Sequence, residues 1–129
     1  MTPRRVVIDT NILVSALMSP LGNPASIHRM FLNREIVLVY SAETMLEYED
    51  VLYRPRLHIN TEDADMVLKA IRQCGELVTP QPSTESMNDE DDRPFYDAAK
   101  SANAFLVTGN MRHYPASSFV LTPKDFLGL

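Results

Sequence analysis

The chain has 129 residues, 45% of them hydrophobic and 22% charged, with a formal net charge of −5 and a pI of about 5.1. Those totals suit one globular domain spanning 1–129 and argue against a simple basic nucleic-acid-binding module. They leave room for an enzyme that meets nucleic acid through a metal, because a metal site needs only local carboxylates.

The single cysteine, Cys74, excludes an intramolecular disulfide. No stretch reaches the roughly 18 to 20 apolar residues of a membrane-spanning helix, so the expected location is cytoplasmic, with no membrane partner. The N-terminal apolar segment is broken by Asp9 and Asn11 and reads as structure, not as a signal peptide.

In chain order, 6–8 is a continuous β-branched run, as in a strand buried on both faces. Residues 12–18 have helix-compatible spacing, and Pro20, Gly22 and Pro24 mark a loop. A helix is predicted over 25–33 and a second strand over 36–40. Ser41 is a candidate N-cap for a helix through "AETMLEYEDVLYR", with Thr44 where a capping box takes Glu or Gln. That helix stops near Pro55. Thr61 is the expected cap of "EDADMVLKAIRQC", which Gly75 ends. A weak strand over 77–79 leads into the polar loop "PQPSTESMNDEDDRP". Pro94 suits the first turn of a helix running to about 103. Strands over 104–108, ending in "TGN", and over 118–121 follow, with a terminal turn at "PKDFL".

Strands that are continuous apolar runs and alternate with helices imply an α/β fold, a parallel sheet with helices on both faces. Ligands of such folds gather outside the carboxyl ends of the strands. Asp9 stands at that end of the first strand, and Thr108, Gly109 and Asn110 at that end of a later one. Asp89, Asp91 and Asp92 come just before the intervening helix, where the helix dipole also favours acids. On the helix after the second strand, Glu47 borders the apolar arc of Thr44, Met45, Tyr48, Val51 and Leu52, while Glu43 and Asp50 face further into solvent. Each acid also has a plainer reading: Asp9 as an N-cap, Glu47 as a solvated helix acid, Asp92 as a helix cap. If Asp9, Glu47 and Asp92 converge, their mutual repulsion is resolved by a hard divalent cation that can activate water at a phosphodiester.

The ordered set "VVIDTNILVSAL", "SAETMLEYEDVLYRP", "DEDDRPFYDAAKSANAFLVTGN" and "HYP" resembles the PIN domain family, most of all its bacterial VapC-like toxin components of toxin–antitoxin systems. The resemblance covers nearly the whole chain. It implies a PIN-like, Rossmann-like three-layer α/β/α sandwich on a parallel sheet of four or five strands. It also implies cleavage of single-stranded RNA with Mg²⁺ or Mn²⁺ held by Asp9, Glu47 and Asp92. The family's fourth acid falls at Asn110, an amide that brings no charge; Asp89 or Asp91 would then compensate. Thr10, Asn11 and Thr108 are expected as supporting groups, and Arg93 and Arg112 as weaker RNA contacts. The implied partners are an RNA substrate, a cognate antitoxin that inserts an Arg or Lys among the acids, and a second copy in a homodimer.

Two other readings remain. The domain binds RNA or protein without cutting, since Asn110 lacks charge. Or Asp9 is the nucleophile of a haloacid-dehalogenase-type phosphatase, although the acid expected two residues later is Asn11. His58 and His113 are expected at the surface, and Asp97 is expected to pair with Arg93.

Overall fold

The computed structural model describes residues 2–129. Its centre is β1 (Arg4–Ile8), flanked by β2 (Ile36–Tyr40) and β4 (Phe105–Val107), with β3 (Glu76–Leu77) and β5 (Val120–Leu121) at the edges. All pairings are parallel, in the order β3-β2-β1-β4-β5. The register pairs Val6 with Leu38 on one side and with Phe105 on the other. Val6, Val7 and Leu106 are fully buried, as expected of strands covered on both faces.

Six α-helices complete the three layers. They are α1 (Thr10–Met18), α2 (Asn23–Leu32), α3 (Ala42–Leu52), α4 (Thr61–Cys74), α5 (Arg93–Ala102) and α6 (Pro123–Leu127). Helix α5 packs along β1, β2 and β4, while α2 and α4 pack against β2. Chain order runs outward from β1 through β2 to β3, then returns to the other side for β4 and β5. The sheet therefore reverses direction between β1 and β4, where the loops leaving adjacent strands part and open a crevice.

Several boundaries differ from the sequence expectation for identifiable reasons. Helix α2 starts at Asn23, because Pro24 sits in its first turn, where a missing N–H costs nothing. Asn60, not Thr61, caps α4: its side chain accepts from Glu62 N–H at 2.8 Å. Thr44 does complete the capping box, accepting from Ser41 N–H at 2.9 Å while Ser41 Oγ accepts from Thr44 N–H at 3.2 Å. The "PKDFL" turn is a short helix capped by Thr122. Helix α3 ends at Leu52, and a 3-10 turn over Pro55–Leu57 follows, closed by His58 in the left-handed region at φ 54°.

Gly75 is required by space, not by backbone angle. Its φ is −78°, which any residue adopts, yet a Cβ there would lie 2.5 Å from the Ile71 carbonyl oxygen and 3.0 Å from that of Leu38. Both obstacles are backbone. Gly75→Ala is expected to cost on the order of 2 kcal/mol, read as a lower urea midpoint with an unchanged slope. An unshifted midpoint would mean that α4 and β2 can separate freely.

Candidate metal centre

One residue connects β1 to α1, and that residue is Asp9. Its N–H donates to Val107 O at 3.2 Å, which continues the β1–β4 pairing. Its side chain then caps the helix, Oδ1 accepting from Ile12 N–H at 3.1 Å. Oδ2 accepts from the Thr108 hydroxyl at 2.5 Å, across the sheet from the end of β4. The capping reading of Asp9 thus holds, and the same carboxylate also reaches the end of β4 through Thr108. Beneath it, the Tyr48 hydroxyl of α3 donates to Ile8 O at 2.5 Å, securing the strand end from below.

Glu47 comes from α3, one residue before Tyr48, and is half-buried. The Thr10 hydroxyl, the first helical residue of α1, donates to Glu47 Oε2. Asp92 closes a 3-10 turn (Glu90–Asp92) and stands immediately before α5, but its carboxylate caps nothing. The only ion-pair partner of Asp92 among the described residues is His113, whose Nδ1 lies 3.4 Å from Asp92 Oδ2. Asp9, Thr10, Asn11, Glu47, Asp92 and His113 all line one cavity of about 250 Å³, with Phe95 also in the wall. Phe95 packs on Tyr48 with ring centroids 5.9 Å apart, which ties α5 to α3 beneath the acids.

The cavity is electrostatically unbalanced. Among the described residues neither Asp9 nor Glu47 has an ion-pair partner. Asp9 is 8% exposed, and burial lifts its carboxyl from 3.8 to about 6, with the Asp92 charge adding to the rise and the Thr108 and Ile12 hydrogen bonds opposing it. Burial also raises Asp92, helped by Glu47 and opposed by His113. The Tyr114 hydroxyl is buried with no hydrogen-bond partner, and its pKa is raised by burial and by the charges of Asp9, Asp92 and Glu47.

Hard oxygen donors on carboxylates, two of them (Asp9 and Glu47) without an ion pair among the described residues, suit a hard divalent cation. Among the described residues no three His, Cys, Asp or Glu side chains are close enough to enclose an ion directly. Mg²⁺ is held by one or two carboxylates plus retained waters and does not require three acids at bonding distance. A larger cavity of about 420 Å³ beside β3, walled by Leu77, Val78, Pro80 and Pro94, contains none of the three acids. Asp9, Glu47 and Asp92 come together at the smaller cavity.

Other expected site residues lie elsewhere. Asn110 Oδ1 accepts from Arg112 N–H at 3.1 Å, capping a 3-10 turn over Met111–His113, and the residue is not in the cavity wall. Asp89 accepts from Asp91 N–H at 2.9 Å, and neither lines the cavity. Arg93 is no free RNA contact: its guanidinium holds Glu90, Ser83 and the Glu85 carbonyl, fixing the loop before α5. Asp97 does not pair with it but accepts from Ser83 N–H at 3.1 Å. Arg112 is exposed next to His113. His113 is exposed, as the sequence suggests, and also borders the cavity; Arg54 and Arg56, which line the cavity from the turn after α3, carry no signal in the sequence that marks them out.

The sequence pattern of the PIN domain matches residues 5–112. The chain belongs to the PIN domain family. A curated relative, the uncharacterized protein MJ1680 of Methanocaldococcus jannaschii, is 29% identical over 109 residues, covering 82% of this chain and 70% of that protein. Two solved structures share the PIN-like fold. PAE2754 of Pyrobaculum aerophilum superposes with a TM-score of 0.60 at 20% identity, covering 99% of this chain and 89% of that one. VapBC2 of Rickettsia felis, solved bound to a DNA fragment from its promoter, gives 0.57 at 15% identity, covering 92% and 96%. The acid cavity of this PIN chain thus sits at the β1–β4 crevice of the family's sheet.

Because the pKa of Asp9 is raised on folding, the folded state holds that proton more tightly than the unfolded chain. The stability this contributes is complete below about pH 4 and is lost as pH rises through about 6. In metal-free protein the loss is on the order of 3 kcal/mol. Asp9→Asn keeps an oxygen for Ile12 and removes the charge, so it is expected to raise metal-free stability at pH 7 but hardly at pH 4. Urea unfolding in EDTA at the two pH values checks this; a variant less stable at pH 7 would mean that the ionised carboxylate is already compensated.

Proposed function

We propose that the chain is an endoribonuclease that cleaves single-stranded RNA with Mg²⁺ or Mn²⁺. The observation that carries this reading is that Asp9, Glu47 and Asp92 line one cavity of a PIN fold, Asp9 buried and neither Asp9 nor Glu47 in an ion pair among the described residues. Those carboxylates, Asp9, Glu47 and Asp92, would hold the metal, one or two directly and the rest through its retained waters. When bound, the metal would supply charge stabilisation for the phosphodiester and lower the pKa of the attacking water.

The protein's own groups do the positioning. Thr108 fixes Oδ2 of Asp9, and Thr10 fixes Oε2 of Glu47, so each carboxylate keeps one defined face toward the cavity. Asp92, spent on no cap, orients the attacking water for in-line displacement at phosphorus, and His113 beside it steadies that carboxylate. A cavity of about 250 Å³ accepts a phosphodiester and its sugar from a single strand. Asn110 need not be acidic in this arrangement, because its side chain is turned to Arg112 N–H. That weakens the case for a domain that binds without cutting, and Asn11 supplies no acid for the phosphatase alternative.

The same reading makes the protein the cytoplasmic toxin of a toxin–antitoxin pair, with an antitoxin placing a cation among the acids and with dimerisation through a second copy. The VapBC2 structural likeness supports this pairing. A small neighbouring open reading frame with a DNA-binding pattern would support it further.

Purified protein is expected to cut single-stranded RNA in Mn²⁺ or Mg²⁺ and to stop in EDTA. Asp9→Asn, Glu47→Gln and Asp92→Asn should each lower the rate by about 100-fold or more. Asn110→Asp should stay within about threefold of the parent, since it reproduces the cap. Cleavage by Asp9→Asn at the parental rate would overturn the mechanism.

A further inference from the structure

A cavity lined by acids repels the phosphates it is meant to receive, and a chain of net charge −5 adds to that repulsion. A cation near the acids is therefore needed to bring an RNA strand to them. Among the described residues half of the twelve Lys and Arg side chains are already engaged. Arg5, Arg54, Arg72, Arg93 and Lys100 form ion pairs with acids. Arg29 holds Pro20 O and Ser26 Oγ. Of those with neither an ion pair nor a side-chain hydrogen bond, Arg56 alone lines the acid cavity.

The backbone around Arg56 is unusually fixed. Pro55 sets the start of the 3-10 turn, Arg54 before it is extended at ψ 123°, and His58 closes the turn in the left-handed region. Arg54 lines the same cavity, its guanidinium 2.7 Å from Asp50 Oδ2, and remains 42% exposed. An exposed, solvent-screened pair of this kind exchanges partners at little cost, so Arg54 can turn from Asp50 to a phosphate. Guanidinium groups suit phosphate oxygens, offering two parallel N–H donors. The motif "YRPRL" thus carries two phosphate donors on a rigid corner beside Glu47.

We propose that Arg56, assisted by Arg54, binds the RNA phosphate next to the one lying among the acids and so positions the strand for cleavage. This rests on the ribonuclease reading for the identity of the strand, but its contacts are measurable without cleavage.

The test uses the full chain and a fluorescein-labelled single-stranded RNA oligonucleotide. Binding is followed by anisotropy in EDTA over a range of salt, and cleavage is followed separately in Mn²⁺. Arg56→Gln should weaken binding about fivefold or more and flatten the salt slope by about 0.7, the value for one phosphate contact on a single strand. Adding Arg54→Gln should flatten it further. In cleavage, KM should rise while kcat stays within about twofold, and Arg56→Lys should recover much of the binding. Lys124→Gln, a control charge loss outside the cavity, should change neither constant nor slope beyond the small effect of net charge.

Equal affinity and slope for Arg56→Gln and the parent would overturn the proposal, as would a loss matched by Lys124→Gln. If the parent binds RNA with an Arg56-dependent slope but cuts nothing, the nuclease reading falls and the binding role stands. If the parent cuts RNA and Arg56→Gln has an unchanged KM, this proposal alone falls. Arg56 is exposed on a surface turn, so its loss leaves the core intact; an unchanged urea midpoint verifies that.

Discussion

The Asp9 carboxylate meets two demands at once, one with each oxygen. One oxygen accepts from Ile12 N–H to start α1, and the other accepts from Thr108 at the end of β4. With both accepted hydrogen bonds in place, a carboxylate can be buried at the crevice of the sheet. Without them, desolvation would push the Asp9 carboxyl still higher. The β1–α1 junction, the β1–β4 pairing and the charge of the site all depend on this one side chain.

The rest of the site is built outward from that point. Tyr48 anchors the end of β1 from α3, and its neighbour Glu47 is thereby carried to the cavity. Phe95 packs on Tyr48 and fixes the start of α5, where Asp92 stands. Each acid thus has an aromatic or hydroxyl support within a residue or a helical turn. The supports lie in the core, where packing is dense and side chains keep single rotamers. The negative charge they hold together opposes stability, a common cost of keeping a functional site assembled.

The sheet and the principal acids were legible because both leave marks in local sequence. "VVID" and "IVLVY" are buried-strand patterns, and an acid at a strand end stands out against them. Edge strands were harder to bound. Residues 77–79 read as a strand, and Val78 N–H does donate to Tyr40 O, although the regular element ends at Leu77. Contacts set by distant chain segments left no local mark. Nothing in "NDEDDRPFYD" shows that Arg93 folds back on Ser83 and Glu85, or that Asp97 serves Ser83 instead of Arg93. Likewise, the spacing of "TGN" points Asn110 toward the acids, whereas its short side chain satisfies the next turn first. His113 reaches Asp92 only because that turn returns the chain to the cavity.

The order of the strands has a consequence for synthesis. β1 is made at the start of the chain, but its partner β4 begins at Phe105, and Thr108 lies 99 residues from the Asp9 it supports. Closing so long a loop is costly until other contacts reward it, so this pairing belongs to the late part of folding. A nascent chain halted before Phe105 has Asp9 and Glu47 but an open strand edge and no hydroxyl to hold the first carboxylate. The acid cavity is therefore complete only once β4 and Thr108 are present, and a product cut before them carries the acids without that support.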